Sequence, residues 1–399
     1  MKEPFLSAIP VLQRLEDSGY EAYFVGGSVR DFLLNKPISD VDIATSATPE
    51  EVKKIFPRTV DIGIEHGTVL VLYEDKSYEI TTFRTEGEYQ DYRRPKDVAF
   101  IRNLNEDLQR RDFTMNAIAM DRKGTLIDPF NGQQAIRDKV IVTVGSANDR
   151  FQEDALRMMR AIRFVSQLAF SIEEKTLQSL AKLVPLLDKI AIERKRAEFE
   201  KLLIGENWNY AFKIIIDIQL TSYLPGLATQ SKTIEKLISV DAIGLNKKEM
   251  WALLLFHLNL KGKYVATFLR DWRLPVKDIK EIQHVLFFLE KRLEHDWSVF
   301  DLYTAGITYI SSTEKLYGVI KGIKGMNPQQ KWLDLYQQLP IKQRSEMNVT
   351  GSDLMEWYNR QGGPWLKETI LKIEQAIIAG EIANDKRKIK EWLKTCSQK

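Results

Sequence analysis

Gly26-Gly27-Ser28-Val29-Arg30-Asp31, followed nine residues later by Asp40-Val41-Asp42, is the stretch from which the fold can be built outward. The short apolar run Ala22–Val25 ends at the glycine pair, and a helical run through Leu33-Leu34 follows it, so the pattern is strand, tight turn, helix. Paired glycines let backbone N–H groups approach a phosphate, Ser28 is placed at the helix N-cap, and Arg30 adds a fixed positive charge suited to a triphosphate. The same residues also suit a tight turn that holds no ligand. After the turn signal Asn35-Lys36-Pro37, Val41–Ala44 reads as a second strand. Residues two apart on a strand point the same way, so Asp40 and Asp42 share a face and can hold a hard cation such as Mg²⁺. A lone Asp-x-Asp is equally a pair of solvated loop acids; its position behind a glycine turn and an arginine is what points to nucleotide chemistry. Thr68–Tyr73 and Tyr78–Phe83 read as a hairpin over Glu74-Asp75-Lys76-Ser77. Glu79, in its second arm, is expected to face the aspartates as a third acid. Three acids around two metals can activate an attacking hydroxyl and steady a leaving pyrophosphate.

From about residue 150 the periodicity becomes helical and stays so, punctuated at Gly205, Pro225-Gly226, Pro275, Pro340 and Gly362-Gly363-Pro364. The expected architecture is a small α/β head followed by an all-helical remainder. A chain of 399 residues exceeds one ordinary domain, and 44% hydrophobic with 28% charged residues is a soluble globular composition. No run of about 18 apolar residues is present, which argues against a membrane span. Cys396 is the only cysteine, which excludes an internal disulfide and a cysteine zinc cluster; with no secretory pattern at the start, a reducing, cytoplasmic setting is expected. Residues 1–140 carry 19 Lys+Arg against 24 Asp+Glu, and the remainder 39 against 31. An acidic front and a basic back suit a metal-dependent head joined to a polyanion-binding body, although ordinary surface variation also produces such differences. All 8 tryptophans lie from Trp208 onward and are expected mainly in cores. His66, His257, His284 and His295 share no metal-ligand spacing.

Arg150–Val165 reads as one amphipathic helix. Ala155, Met158, Met159, Ile162 and Val165 form its apolar side; Arg150, Glu153, Asp154, Arg157, Arg160 and Arg163 form the other. Asp154 and Arg157 can be an i,i+3 surface ion pair. They also match a base edge. Cytosine and adenine both present an exocyclic amino group beside an acceptor ring nitrogen, which a carboxylate and a guanidinium complement. Uracil and guanine present a carbonyl beside a ring N–H, which sets acceptor against acceptor and donor against donor.

Gly26–Asp31 with Asp40-x-Asp42, then Arg110-Arg111-Asp112-Phe113-Thr114-Met115-Asn116-Ala117, then Glu153-Asp154-Ala155-Leu156-Arg157, resembles the class II tRNA nucleotidyltransferases, the CCA-adding enzymes. The tail, from Gly362-Gly363-Pro364-Trp365 to Trp392-Leu393, resembles bacillus-type members. The resemblance implies an α+β head of the DNA polymerase beta nucleotidyltransferase type (1–140), then an all-α neck (141–205), body (206–310) and tail (311–399). It implies that Gly27, Arg30, Arg111, Asp154, Arg157, Arg160 and Arg163 contact the incoming CTP or ATP, with Ser28 in the triphosphate turn. Asp40 and Asp42 match the metal ligands, for two Mg²⁺ ions, and Glu79 is the expected third catalytic acid. The charged segment 84–102, including Glu86, Glu88, Asp91, Tyr92 and Arg93, corresponds to the mobile loop needed for the final adenosine. Asp112 and Asn116 are expected to orient their neighbours, and Arg194 with Glu198, in the last motif, to stabilise their own helix. The implied partner is tRNA, held at the acceptor stem and elbow, with no obligate protein partner. A poly(A) polymerase or A-adding enzyme of the same superfamily, a non-catalytic tRNA-binding relative, and a small-molecule nucleotidyltransferase are the rivals; the last needs no long basic helical remainder.

Overall fold

The computed structural model describes residues 1–87, 89–90, 94–95, 98–323 and 329–396. Residues 1–238 with 271–273 form one compact unit, and 239–270 with 274–399 form another.

The first unit opens with α1 (Phe5–Asp17), whose Phe5, Ala8, Val11, Leu12 and Leu15 recur at helical spacing and are all buried. Seven strands then form the main sheet: β1 (Ala22–Val25), β2 (Asp42–Thr45), β3 (Thr59–Gly63), β4 (Thr68–Tyr73), β5 (Lys76–Thr82), and later β10 (Ala119–Met120) and β11 (Leu126–Ile127). Their order is β11-β10-β1-β2-β5-β4-β3. The pair β2/β5 is parallel and the pairs β1/β2 and β4/β5 are antiparallel, so the sheet is mixed. The hairpin stands where the sequence places it, tightened to a turn at Glu74 and Asp75. Between β1 and β2 lies α2 (Gly27–Leu33); between β2 and β3 lies α3 (Pro49–Ile55), fixed by a capping box between Thr48 and Glu51 with Pro49 in its first turn.

The segment expected as a loop is partly strand. Here β6 (Arg84–Glu86) pairs with β9 (Val98–Phe100), and β7 (Tyr89–Gln90) with β8 (Arg94–Pro95). Glu88, Asp91, Tyr92 and Arg93 lie outside the described residues. Beyond it come α4 (Leu104–Gln109) and α5 (Gly132–Asp138), and a short parallel pair joins β12 (Val140–Ile141) to β13 (Ser171–Ile172), a strand element in the region read as wholly helical.

The expected continuous helix over 150–165 is two helices, α6 (Ala147–Glu153) and α7 (Leu156–Leu168), with Asp154 extended between them at φ −134°, ψ 103°. The Asp154 carboxylate accepts from the N–H of Leu156 at 3.0 Å, a local side-chain bond that competes with the helix ladder. The apolar side predicted for this segment is correct: Ala155, Met158, Met159, Ile162 and Val165 are all buried. Then follow α8 (Glu174–Leu183), α9 (Ile192–Leu203), α10 (Trp208–Asp217) and α11 (Ser231–Leu237). Helix α7 packs on α9 and α10. The corner after α9 is set by space: a Cβ on Gly205 would meet the Ser166 side chain and fall 2.6 Å from its backbone carbonyl atoms.

The second unit is helical: α12 (Lys247–His257), α13 (Lys263–Asp271, its last residue assigned to the first unit), α14 (Val276–Glu294), α15 (Val299–Lys321), α16 (Gln330–Gln337), α17 (Gly351–Tyr358), α18 (Pro364–Ile378) and α19 (Lys386–Cys396). Capping boxes at Asn246/Glu249, Ser298/Asp301 and Thr350/Asp353 start three of these helices. Helix α15 is kinked at Gly306, whose φ of 65° is outside the helical range. Trp208, Trp251, Trp272, Trp297 and Trp332 are buried; Trp357, Trp365 and Trp392 pack partly buried on the core formed by α17, α18 and α19. Among the described residues, no helix is long and apolar enough to cross a membrane.

Candidate active site

The end of β1 and the start of β2 form one floor of a cleft of about 660 Å³. Gly26 leaves β1 at φ 72°, ψ −134°, a conformation that favours glycine. A Cβ there would also stand 3.2 Å from an Arg111 nitrogen and 3.7 Å from Asp42. Gly26 is the N-cap of α2, and Ser28 lies inside the helix. The buried Ser28 hydroxyl donates to the Val25 carbonyl at 3.0 Å, so its side chain faces the core and the N-cap expectation is corrected. Arg30, one turn on, donates to Asn116 Oδ1 at 2.7 Å and to Asp31 at 2.9 Å, and lies over the Phe164 ring.

The two aspartates are not both on the strand: β2 starts at Asp42, and exposed Asp40 precedes it. Asp42 stands directly across the parallel ladder from Glu79 on β5. Partial burial and the Glu79 carboxylate raise the Asp42 pKa, with Asp40 adding to the rise and Arg111 opposing it. The side-chain donors that Asp40, Asp42 and Glu79 offer are all carboxylate oxygens. That donor set fits a hard divalent cation. Among the described residues, no group of three His, Cys, Asp or Glu is already gathered around a common metal position.

The opposite side of the cleft is arginine-rich. Gly27, Arg30, Asp42, Arg111, Asp154, Arg157, Arg160 and Arg163 all line it, as the sequence leads one to expect; Ser28, Asp40 and Glu79 are not among the lining residues. Each arginine is held by an acid. Arg157 donates to Glu153 at 2.5 Å and to the carbonyls of Arg150 and Arg110 at 3.2 Å, with Glu86 at 3.9 Å. Arg160 meets Asp112 at 2.5 Å, and Arg163 meets Glu198 at 3.0 Å. Burial works to raise the pKa of Asp112, but Arg160, Asn116 and Arg157 outweigh it and hold it at about 2. Asn116 bridges Asp112 and Arg30, the orienting role its spacing suggests.

The last motif departs from its reading. Arg194 does not serve its own helix: it crosses to Asp154 at 2.7 Å, while Glu198 reaches Arg163. Gly26 lines the cleft with Gly27, as expected of the glycine turn, while Arg84, Glu86, Arg110, Phe164, Gln167 and Arg194 line it without having been assigned a role there from the sequence. Only Arg194 carried a readable signal, since an Arg and a Glu four apart on a helix can face a neighbouring helix as well as each other. His66 lines the cleft, and its backbone carbonyl accepts from Arg84.

Comparison with known proteins follows the same layout. Residues 22–142 match the Poly A polymerase head domain, and 245–393 match tRNA nucleotidyltransferase domain 2. A Bacillus cereus protein named CCA-adding enzyme is 48% identical over 396 residues, covering 99% of both chains. A Geobacillus CCA-adding enzyme is also 48% identical, over 98% of this chain and 97% of its own. The crystal structure of the Bacillus stearothermophilus CCA-adding enzyme in complex with CTP superposes with a TM-score of 0.90 at 44% identity, over 100% of this chain and 98% of that one. With the head, the glycine turn and the arginine-lined cleft in place, and with near-complete coverage at nearly half identity, the chain belongs to the CCA-adding enzymes.

Proposed function

We propose that this protein adds and repairs the 3′-terminal C, C and A of tRNA, using CTP and ATP and releasing pyrophosphate from one active site. The observation that carries the proposal is the single cleft in which the Gly26-Gly27 turn and Asp42 lie with Asp154, Arg157 and Arg160. The chain is a nucleotidyltransferase of the polymerase family, which generally needs a divalent metal. Asp40 and Asp42 would hold two Mg²⁺ ions in this reading, with Glu79 beside them. Ions held there would supply Lewis acidity to the tRNA 3′-hydroxyl and to the leaving pyrophosphate. Arg30 and Arg111 orient the triphosphate, aided by the backbone at Gly27 and Ser28. The hydroxyl oxygen bonds to the α-phosphorus as the bond to the β-phosphate bridging oxygen breaks, and the hydroxyl proton passes to a nearby base.

Asp154 accepts from the exocyclic amino group of C or A, and Arg157 donates to the adjacent ring nitrogen. Arg160 and Arg163 back the same wall. The functional division is a head (1–140), neck (141–205), body (206–310) and tail (311–399), with the helical parts holding the acceptor stem and elbow by shape and phosphate contact, so that affinity falls as salt rises.

The test is extension of a tRNA that ends before the CCA, resolved on a sequencing gel. Two additions with CTP alone and three with CTP plus ATP are expected. A long A ladder with ATP alone points instead to poly(A) synthesis, and addition of A only to a finished CC end points to an A-adding enzyme. Arg157→Ala is expected to lower the preference for CTP over UTP by about 100-fold while changing tRNA affinity little, since a site built to pair polar groups loses most of its discrimination with one of them. Unchanged CTP/UTP ratios in that variant refute the base-reading role.

A further inference from the structure

Asp154 occupies a position where helix geometry does not fix its side chain. It is extended between α6 and α7, so its carboxylate is set by what holds it. Two groups do so. The Leu156 N–H donates to one oxygen at 3.0 Å, and Arg194 donates to the other at 2.7 Å. The first bond is local and moves with the chain; the second comes from a separate helix.

Helix α9, which carries Arg194, is anchored independently of the cleft. Next to Arg194, the buried Lys195 donates to the Tyr223 carbonyl at 2.9 Å. Further along, Phe199 stacks on Trp272 with ring centroids 4.5 Å apart. Arg194 therefore has a rigid base from which to fix a carboxylate on another element. It also lines the cleft, and its Nη1 is buried with no hydrogen-bond partner among the described residues. A buried donor without a partner is costly in an ordinary core. Such groups are retained where a ligand completes them.

We infer that Arg194 is a specificity-determining positioning residue, which aims the Asp154 carboxylate at the amino group of the incoming cytosine or adenine. The inference rests on the base-reading role of Asp154 proposed above. Its physical content is geometric. One carboxylate oxygen is occupied from the α9 side, so the carboxyl plane is fixed and acceptor lone pairs point into the cleft at one orientation. Without Arg194 the carboxylate turns about its last bond, and its accepted angle toward an amino group is no longer enforced. The loss falls on the choice among bases, while the triphosphate and tRNA contacts stay as they are.

The experiment is a double-mutant cycle on the full-length protein with a tRNA lacking CCA. The CTP/UTP ratio of kcat/KM is measured for the unmodified protein, Arg194→Gln, Asp154→Ala, and the two combined. Arg194→Gln is expected to lower the ratio by roughly 10-fold or more, with tRNA affinity unchanged. In the Asp154→Ala background the same change is expected to have no further effect, because Arg194 then has nothing to aim. Arg194→Lys, which keeps a donor and the charge, restores at least part of the ratio and guards against a simple folding defect. A full ratio in Arg194→Gln when Asp154→Ala has lost it overturns the inference and leaves the base-reading role standing. Equal losses from Arg194→Gln with and without Asp154 also overturn it, since the effect is then not carried by the carboxylate. A full ratio in Asp154→Ala removes both readings together.

Discussion

Asp42→Ala abolishes nucleotide transfer while tRNA binding stays close to normal. The side chain opens the strand that enters the cleft, directly across the ladder from Glu79. It is also the one acid of the expected three that lines the cleft. Losing it removes a cation ligand from the place where charge develops on the reacting phosphate. An effect of this kind is worth several kcal/mol of transition-state stabilisation, so a fall of about 10³-fold or more in single-turnover rate is expected. The check is single-turnover transfer from labelled CTP alongside a filter-binding titration with tRNA. A variant that turns over at a tenth of the normal rate refutes the metal-ligand role of Asp42. Because burial and then the Glu79 carboxylate raise the Asp42 pKa against the pull of Arg111, its removal is not expected to cost fold stability.

Gly205→Ala is the change expected to cost the most stability. Its backbone is not in a left-handed conformation; what matters is closeness. Ser166 lies against it at the end of α7, buried, with its hydroxyl donating to the Leu202 carbonyl at 2.6 Å and its carbonyl accepting from Asn207 at 2.9 Å. A methyl at position 205 would press on the Ser166 backbone, which cannot swing aside as a flexible side chain does. Overpacking of this type costs about 3 kcal/mol, or roughly 6–12 °C in Tm for a unit of this size. Thermal unfolding with and without CTP measures it, and a shift under about 2 °C contradicts the close crossing. The same crossing sets α7 against α9, so the variant is also expected to disturb the Asp154–Arg194 contact.

Much of this arrangement was legible in the sequence, for reasons that separate the readable from the unreadable. β1 and β4 were readable to the residue because apolar runs end in turn residues, and the hairpin because its two arms flank a polar tip. The glycine turn and the arginines of the cleft were readable as a motif. The break at Asp154 was not. Glu153-Asp154-Ala155-Leu156 contains no glycine or proline, and the helical wheel stays in phase across it. The break comes from a carboxylate bonding its own chain two residues on, which residue type alone cannot reveal. The strands at 84–86 and 98–100 were hidden for a different reason: the paired segment Arg84-Thr85-Glu86 has no buried face, so no alternation marks it. Arg194 was misassigned because spacing along one helix shows which residues share a face but says nothing of what that face meets.

The lining of the cleft is unevenly charged. Eight of its lining residues are arginines, against four aspartates and glutamates. The acids that hold many of them, Asp31, Asp107, Glu153 and Glu198, stand behind the lining, so the wall facing the cleft keeps an excess of positive charge. A nucleoside triphosphate is polyanionic and relieves it. Substrate binding and folding are thus linked: the nucleotide acts as a reversible counter-ion for the native state, and supply of CTP or ATP sets how firmly this half of the molecule is held together.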